Sequence, residues 1–172
     1  MTAHIRRGTP LDLPGTARLL NALLAEAPGG APDPALTAAM LGEWLASHAG
    51  PSAWHVAEEA GRIEGFQWIG PDISLPPEAC EIGTFVRAGR GAERGAGAAQ
   101  TGLGIGSRLF EATRKAGRRM GYHWIHAELR ADNDGGLIYY QSRGFRRYRG
   151  PPGALQANAP RADRVLTRFD LT

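Results

Sequence analysis

Seven glycines fall between Ala88 and Gly106, a density that no helix or strand interior tolerates. The last three, Gly102, Gly104 and Gly106, alternate directly before a helical pattern that runs to about Arg119, and the run follows a strand candidate, Cys80 to Val86. A chain that passes from strand through a glycine-rich turn into a helix points to layered α/β packing. Without Cβ atoms, the backbone N–H groups of Gly102 to Ser107 can approach a ligand closely. The first turn of the helix leaves its own N–H groups unpaired and partly positive, so the stretch suits a phosphate cradle; the plain alternative is a flexible loop leading into a helix. A Walker A loop needs Gly-Lys-Ser/Thr, but Gly106 is followed by Ser107 with no lysine. The dinucleotide fingerprint fails as well: the third glycine is one residue early, and the turn does not follow the first strand. Both nucleotide readings are disfavoured.

The rest of the chain alternates in the same way. His4 to Arg7 reads as a short first strand. Thr9 suits a helix N-cap, Pro10 the first helical position and Asp12 the positive helix end. Leu13, Ala17, Leu20, Leu23 and Leu24 recur at helical spacing up to a stop at Ala27-Pro28-Gly29-Gly30. A second helix is expected from Pro34 to about His48. Trp54 to Ala57 and Arg62 to Ile69 are expected as a hairpin turning at Glu59-Ala60-Gly61. Gly121 is expected to end the glycine-led helix, Tyr122 to Leu129 to form a strand, and Asp134 to Ser142 a short helix stopped by Gly144. Phe145 to Tyr148 and Val165 to Leu171 read as closing strands. With no repeat and no boundary, residues 1–172 are expected to form one domain.

Composition removes several function classes. A single cysteine, Cys80, excludes an internal disulfide framework and a cysteine-rich zinc module. No run of 18 apolar residues is present to span a membrane, and the polar, basic stretch Met1 to Thr9 is unlike a secretory signal, so the cytoplasm is the expected compartment. Twenty Lys and Arg against seventeen Asp and Glu leave a charge of +3, with the basic residues concentrated between Arg87 and Arg149. That concentration suits a phosphorylated ligand, a nucleic acid, or simply a solvated helix face, and charge alone does not choose.

The spacing of Thr101-Gly102-Leu103-Gly104-Ile105-Gly106 resembles the acetyl-CoA pyrophosphate loop of the GNAT N-acetyltransferase superfamily, Arg/Gln-x-x-Gly-x-Gly/Ala. Gly104 and Gly106 match its small positions, Thr101 stands at the first, and Gln100 is one residue early. A second stretch, Asn133 to Phe145, resembles the family signature Asn-x-x-Ala-x-x-Leu-Tyr-x-x-x-Gly-Phe. Asn133, Tyr140, Gly144 and Phe145 match in register, while Gly136 replaces the usual Ala and Tyr139 the usual Leu. The order of elements fits the family over nearly the whole chain. The resemblance implies a mixed, twisted β-sheet flanked by α-helices on both faces, acetyl-CoA as donor, a primary amine as acceptor and no metal.

Carried onto this sequence, the resemblance implies a role for each matching residue. Tyr140 is the acid at the departing sulfur, and Asn133 contacts the pantetheine arm or a water beside it. Phe85 and Val86 supply strand backbone to the pantetheine, with an N–H near Val86 as oxyanion donor. The backbone of Thr101, Gly102, Leu103, Gly104, Ile105, Gly106 and Ser107 holds the pyrophosphate, Ser107 adding its hydroxyl. Glu81 is the candidate base through a water, and the alternative for it is an ordinary charged strand end. Alternation puts Glu81, Gly83 and Phe85 on one face and Ile82, Thr84 and Val86 on the other. His123 and His126, on opposite faces of the next strand, are substrate contacts or structural. Arg114, Lys115, Arg118 and Arg119 either approach the coenzyme 3′-phosphate or complement the negative end of their helix. Trp44 and Trp68 either line an acceptor pocket or belong to the core.

The opening of the chain and the Ala131-Asp132-Asn133 string resemble the amino-acid and phosphinothricin acetyltransferase branch. That resemblance implies a small-molecule amine, whose carboxylate Arg87 or Arg130 would hold. The alternatives are acetylation of a protein lysine or N-terminus, and a non-catalytic module binding coenzyme A or nucleic acid through Arg87, Arg90 and Arg94. Family members are often homodimers; nucleic acid and membrane are not expected partners.

Overall fold

The computed structural model describes residues 2–27, 29–87, 104–150 and 163–172. Arg6, on the first strand β1 (His4–Arg7), grips the Asp12 carboxylate with both terminal guanidinium nitrogens at 2.7 and 2.8 Å. Asp12 also accepts the Thr9 N–H at 2.8 Å, which starts a turn of 3₁₀ helix, Pro10–Asp12, leading into α1 (Leu13–Glu26). The α2 helix spans Ala38–Ala46, starting later than the expected Pro34 and ending before His48. The reason lies in α1: Asn21 clasps Leu36 through both its backbone N–H (2.9 Å) and its carbonyl (2.8 Å) and holds that segment extended. Thr37 then caps the helix, accepting the Met40 N–H at 3.1 Å.

Strands β2 (Ala53–Glu59) and β3 (Arg62–Gly70) form the expected hairpin. Ala60 and Gly61 both have positive φ, the two-residue turn whose twist matches paired strands. The β2–β3 register shifts between Ala57 and Glu58, so Ile63, Phe66 and Trp68 all reach one core. There follow β4 (Ala79–Val86), α3 (Ile105–Arg119), β5 (Trp124–Arg130), α4 (Asp134–Ser142), β6 (Arg146–Arg147) and β7 (Arg164–Asp170). Gly121, at φ +88°, lies just past the end of α3 as expected. Tyr122 stays outside β5 because its N–H returns to Gly117 O and its hydroxyl donates to Pro51 O. The β6 strand is shorter than Phe145 to Tyr148 because the Phe145 N–H bonds Tyr140 O (3.0 Å) and its ring enters the core.

The seven strands make one mixed sheet in the order β1-β2-β3-β4-β5-β7-β6, antiparallel except for the parallel β4–β5 contact. Helices α1 and α2 cover one face through Leu19, Leu20 and Leu41 against Val56, Phe66 and Trp68. Helices α3 and α4 cover the other through Leu109, Phe110, Leu137 and Tyr140 against Ala57, Ile69, Ile82 and Ile125. This is the expected α/β architecture.

Candidate active site

The parallel strands β4 and β5 pair only from Ala79↔Trp124 to Glu81↔His126. Beyond that point β4 continues to Val86 against β3 alone, and a seam opens between it and β5. Two backbone bonds show which β4 groups face the seam. Arg87 N–H donates to Glu64 O on β3, and Glu78 O accepts from His123 N–H on the β5 side. Backbone groups alternate sides along a strand, so Ile82, Thr84 and Val86 turn their N–H and C=O groups towards the seam, while Phe85 turns its own to β3. The Phe85 ring stacks on Phe66 at 6.0 Å, in the α1–α2 core.

The side chains of β4 divide as expected. Thr84 faces α4, where its hydroxyl meets the Tyr140 hydroxyl at 2.7 Å. Tyr140 is buried, and burial holds its phenol well above the usual tyrosine pKa, so it is protonated at neutral pH. Glu81 lies on the other face. Burial, together with Asp72 and Glu128, pushes its carboxyl up to about 7. His126, its β5 neighbour, bonds Tyr148 through Nδ1 (2.6 Å), and burial lowers its pKa. The seam therefore has a phenol donor on one side of β4 and a carboxyl poised between charge states on the other.

Glu81 makes stability depend on pH. In the unfolded chain its carboxyl ionises near 4.5, whereas in the fold it keeps its proton to about 7. The folded state binds the extra proton in that interval, so the Glu81 contribution to stability falls as pH rises from 4.5 to 7 and stays lost above. Glu81→Gln, always neutral, should melt higher than the parent above pH 7, with the difference closing towards pH 4.5. Thermal melts of both proteins across that range test this; a difference that does not change with pH would contradict it.

At the far end of the seam, Gly104 opens α3 without a side-chain cap, and the first helical bond is Arg108 N–H to Gly104 O. The N–H groups of Ile105, Gly106 and Ser107 therefore have no partner within the helix. A Cβ at Gly106 would stand 2.6 Å from the Tyr139 ring, so any larger residue there would have to displace that ring. Arg143 stacks over that ring at 3.8 Å and bonds the Ser107 hydroxyl, adding a positive charge beside the helix N-terminus. Thr101, Gly102 and Leu103 lie outside the described residues, as do Arg90 and Arg94.

Solved structures similar to this arrangement of strands and helices include several described as acetyltransferases. The Salmonella typhimurium protein yncA, determined with its cofactor acetyl-CoA, is 18% identical, with a TM-score of 0.70 over 100% of this chain and 95% of that one. A ribosomal-protein-alanine N-acetyltransferase from Brucella melitensis is 20% identical, with a TM-score of 0.69 over 97% and 99% of the two chains. A protein provisionally named a phosphinothricin N-acetyltransferase is 19% identical, with a TM-score of 0.71 over 99% of each chain. The chain has the GNAT acetyltransferase fold. No family model matches the sequence, and no curated protein does.

Within the GNAT fold, several expected residues have other partners. Asn133 caps α4, its Oδ1 accepting the Gly136 N–H at 2.9 Å, which leaves its exposed amide nitrogen for a ligand. Arg87 pairs with Glu64 at 2.8 Å and Arg130 with Asp132 at 3.0 Å. Arg114 and Lys115 pair with Glu111, and Arg118 donates to Leu171 O. Trp68 is core, packed at 4.9 Å against the half-exposed Trp44. Sequence reasoning gave no role to Gln67, Thr84, Tyr139 or Arg143. The available signal was Gln67, the one amide within the apolar stretch Phe66-Gln67-Trp68-Ile69.

Proposed function

We propose that this chain is an acetyl-CoA-dependent N-acetyltransferase that moves an acetyl group to a primary amine of a small molecule, such as an amino acid or analogue, by direct attack in a ternary complex. The observation that carries the reading is the seam, with the Tyr140 phenol and the Glu81 carboxyl on the two faces of β4 beside it. Bound acetyl-CoA would supply an activated acyl carbon and a thiolate leaving group. The residues present fit it. The free backbone edge of Ile82 to Val86 suits an amide-bearing pantetheine arm, and the N–H groups of Ile105 to Ser107 suit a pyrophosphate.

An alkylammonium, with a pKa near that of lysine at about 10.4, has no lone pair and must lose a proton before it attacks. Glu81, titrating near 7, accepts that proton through a water. The Val86 N–H faces the seam and supports the oxyanion, and Tyr140 protonates the sulfur as it leaves. None of these steps requires a metal, and among the described residues no group of three His, Cys, Asp or Glu is placed to hold one. The small-molecule acceptor rests on the branch resemblance and on likeness to the phosphinothricin-type structure. The Brucella structure keeps a protein N-terminus as the second reading. We also propose one domain, a cytoplasmic location and a homodimer; among the described residues no helix is long and apolar enough to cross a membrane.

Isothermal titration with acetyl-CoA, followed by a thiol-release screen of free amino acids, polyamines and N-terminal peptides, tests the reading. Binding with turnover on one free amine class is the expected result. Turnover on peptides alone would move the acceptor to the second reading, and a folded protein that binds no coenzyme would overturn the function.

A further inference from the structure

The Tyr140 hydroxyl is the end of a hydrogen-bond chain whose direction follows from donor counting as far as Thr84. Tyr139 has one hydroxyl hydrogen. Its oxygen lies 2.7 Å from Gly106 O, a group that only accepts, so that hydrogen goes to Gly106. The same oxygen lies 3.1 Å from the Gln67 amide and, with its hydrogen used, must accept there. Gln67 therefore presents Nε2, not Oε1, and the assignment follows from Gly106 rather than from a choice of amide orientation. The second Nε2 hydrogen goes to Thr84 Oγ1 at 2.9 Å. Thr84 accepts from Gln67 and keeps its own hydrogen to donate; its oxygen lies 2.7 Å from the Tyr140 oxygen, a pair in which either hydroxyl can be the donor. Gln67 is fully buried, and its Oε1 has no partner among the described residues, a cost of the orientation that Tyr139 imposes.

We propose that Tyr139, Gln67 and Thr84 are positioning residues that keep one hydroxyl hydrogen aimed at the Tyr140 oxygen, ready to stabilise it when Tyr140 gives up its proton. This rests on the acid role given to Tyr140 above. As the carbon–sulfur bond breaks, the thiolate takes the Tyr140 hydroxyl proton, the O–H electron pair stays on the phenolate, and Thr84 donates into it. Solvent returns a proton to Tyr140 after the products leave. No proton travels along the chain, because an amide transmits polarity but does not readily shuttle protons. Burial alone would make the Tyr140 phenol a weak acid, and the Thr84 bond opposes that effect. Tyr139 stands where the family pattern has Leu, so the residue that sets the direction departs from that pattern.

The test is a double-mutant cycle read in two ways. Thr84→Val should lower kcat about tenfold with the acetyl-CoA Kd and KM unchanged, and Thr84→Ser should restore it. In the Tyr140→Phe background, Thr84→Val should change kcat less than about twofold. Independently of turnover, ¹³Cζ-tyrosine NMR of the free protein should show the Tyr140 signal, assigned by its loss in Tyr140→Phe, moving in Tyr139→Phe. That substitution keeps the ring that stands edge-on to Tyr140 at 5.0 Å, so ring currents are held constant. The movement should disappear when Thr84 is already Val. A Tyr140 signal indifferent to Tyr139→Phe, or a Thr84→Val cost that is equal with and without the Tyr140 hydroxyl, would overturn the chain while leaving the acetyltransferase reading standing. No coenzyme binding would overturn both, whereas full activity in Tyr140→Phe would overturn the acid role and with it the chain, leaving the acetyltransferase reading standing.

Discussion

Tyr140→Phe should lower kcat by about a hundredfold or more while acetyl-CoA still binds with the parent affinity, the size expected when a general acid is removed. The substitution deletes one oxygen and keeps the ring, which packs at 4.9 Å against Phe145 and contributes to the core beneath α4. The fold should therefore survive, and the loss should fall on the chemical step. Titration calorimetry beside steady-state kinetics separates the two. A fall in coenzyme affinity matching the fall in rate would mean that Tyr140 only shapes the seam. Because burial keeps the phenol protonated well above neutrality, the activity should show no alkaline limb from Tyr140 across the physiological range. The acid limb should come from Glu81, near 7, and vanish in Glu81→Gln.

Phe66→Ala is the substitution expected to cost most in stability. The ring is 1% exposed at the centre of the sheet, between Trp54 at 5.8 Å and Phe85 at 6.0 Å, and beneath α1. The surrounding side chains come from three strands and two helices and have little freedom to close the gap, so the loss should be about 3–5 kcal/mol. For a chain of this length that corresponds to a melting temperature lower by roughly 10 °C. Urea unfolding monitored by circular dichroism measures it; a loss under about 1 kcal/mol would mean that the α1–α2 layer packs differently.

Much of this was legible in the sequence because the controlling interactions are local. Periodicity and turn chemistry located α1, the β2–β3 hairpin and the α3 C-terminus at Gly121. The elements misjudged were those set by distant partners. The start of α2 depends on Asn21 reaching Leu36, fifteen residues away in sequence, and β6 is shortened by the burial of Phe145. The site divides similarly. Tyr140 could be proposed from a motif and Glu81 from the resemblance, with strand parity grouping its face, because these signals are one-dimensional. Gln67 and Tyr139 could not be, because their partnership spans seventy-two residues and exists only once α4 lies over the sheet.

The seam has one more consequence. Among the described residues, three ladder pairs join the β1–β4 part of the sheet to the β5–β7–β6 part. The backbone stitching between the two parts is therefore short, the core shared by Ile69, Ile82 and Ile125 carries the rest, and a ligand bridging the seam would add to it. At a hundredfold excess over its dissociation constant such a ligand adds about 2.7 kcal/mol to the folded state. The heat resistance and proteolytic lifetime of this chain would then rise and fall with how much of that ligand its surroundings hold.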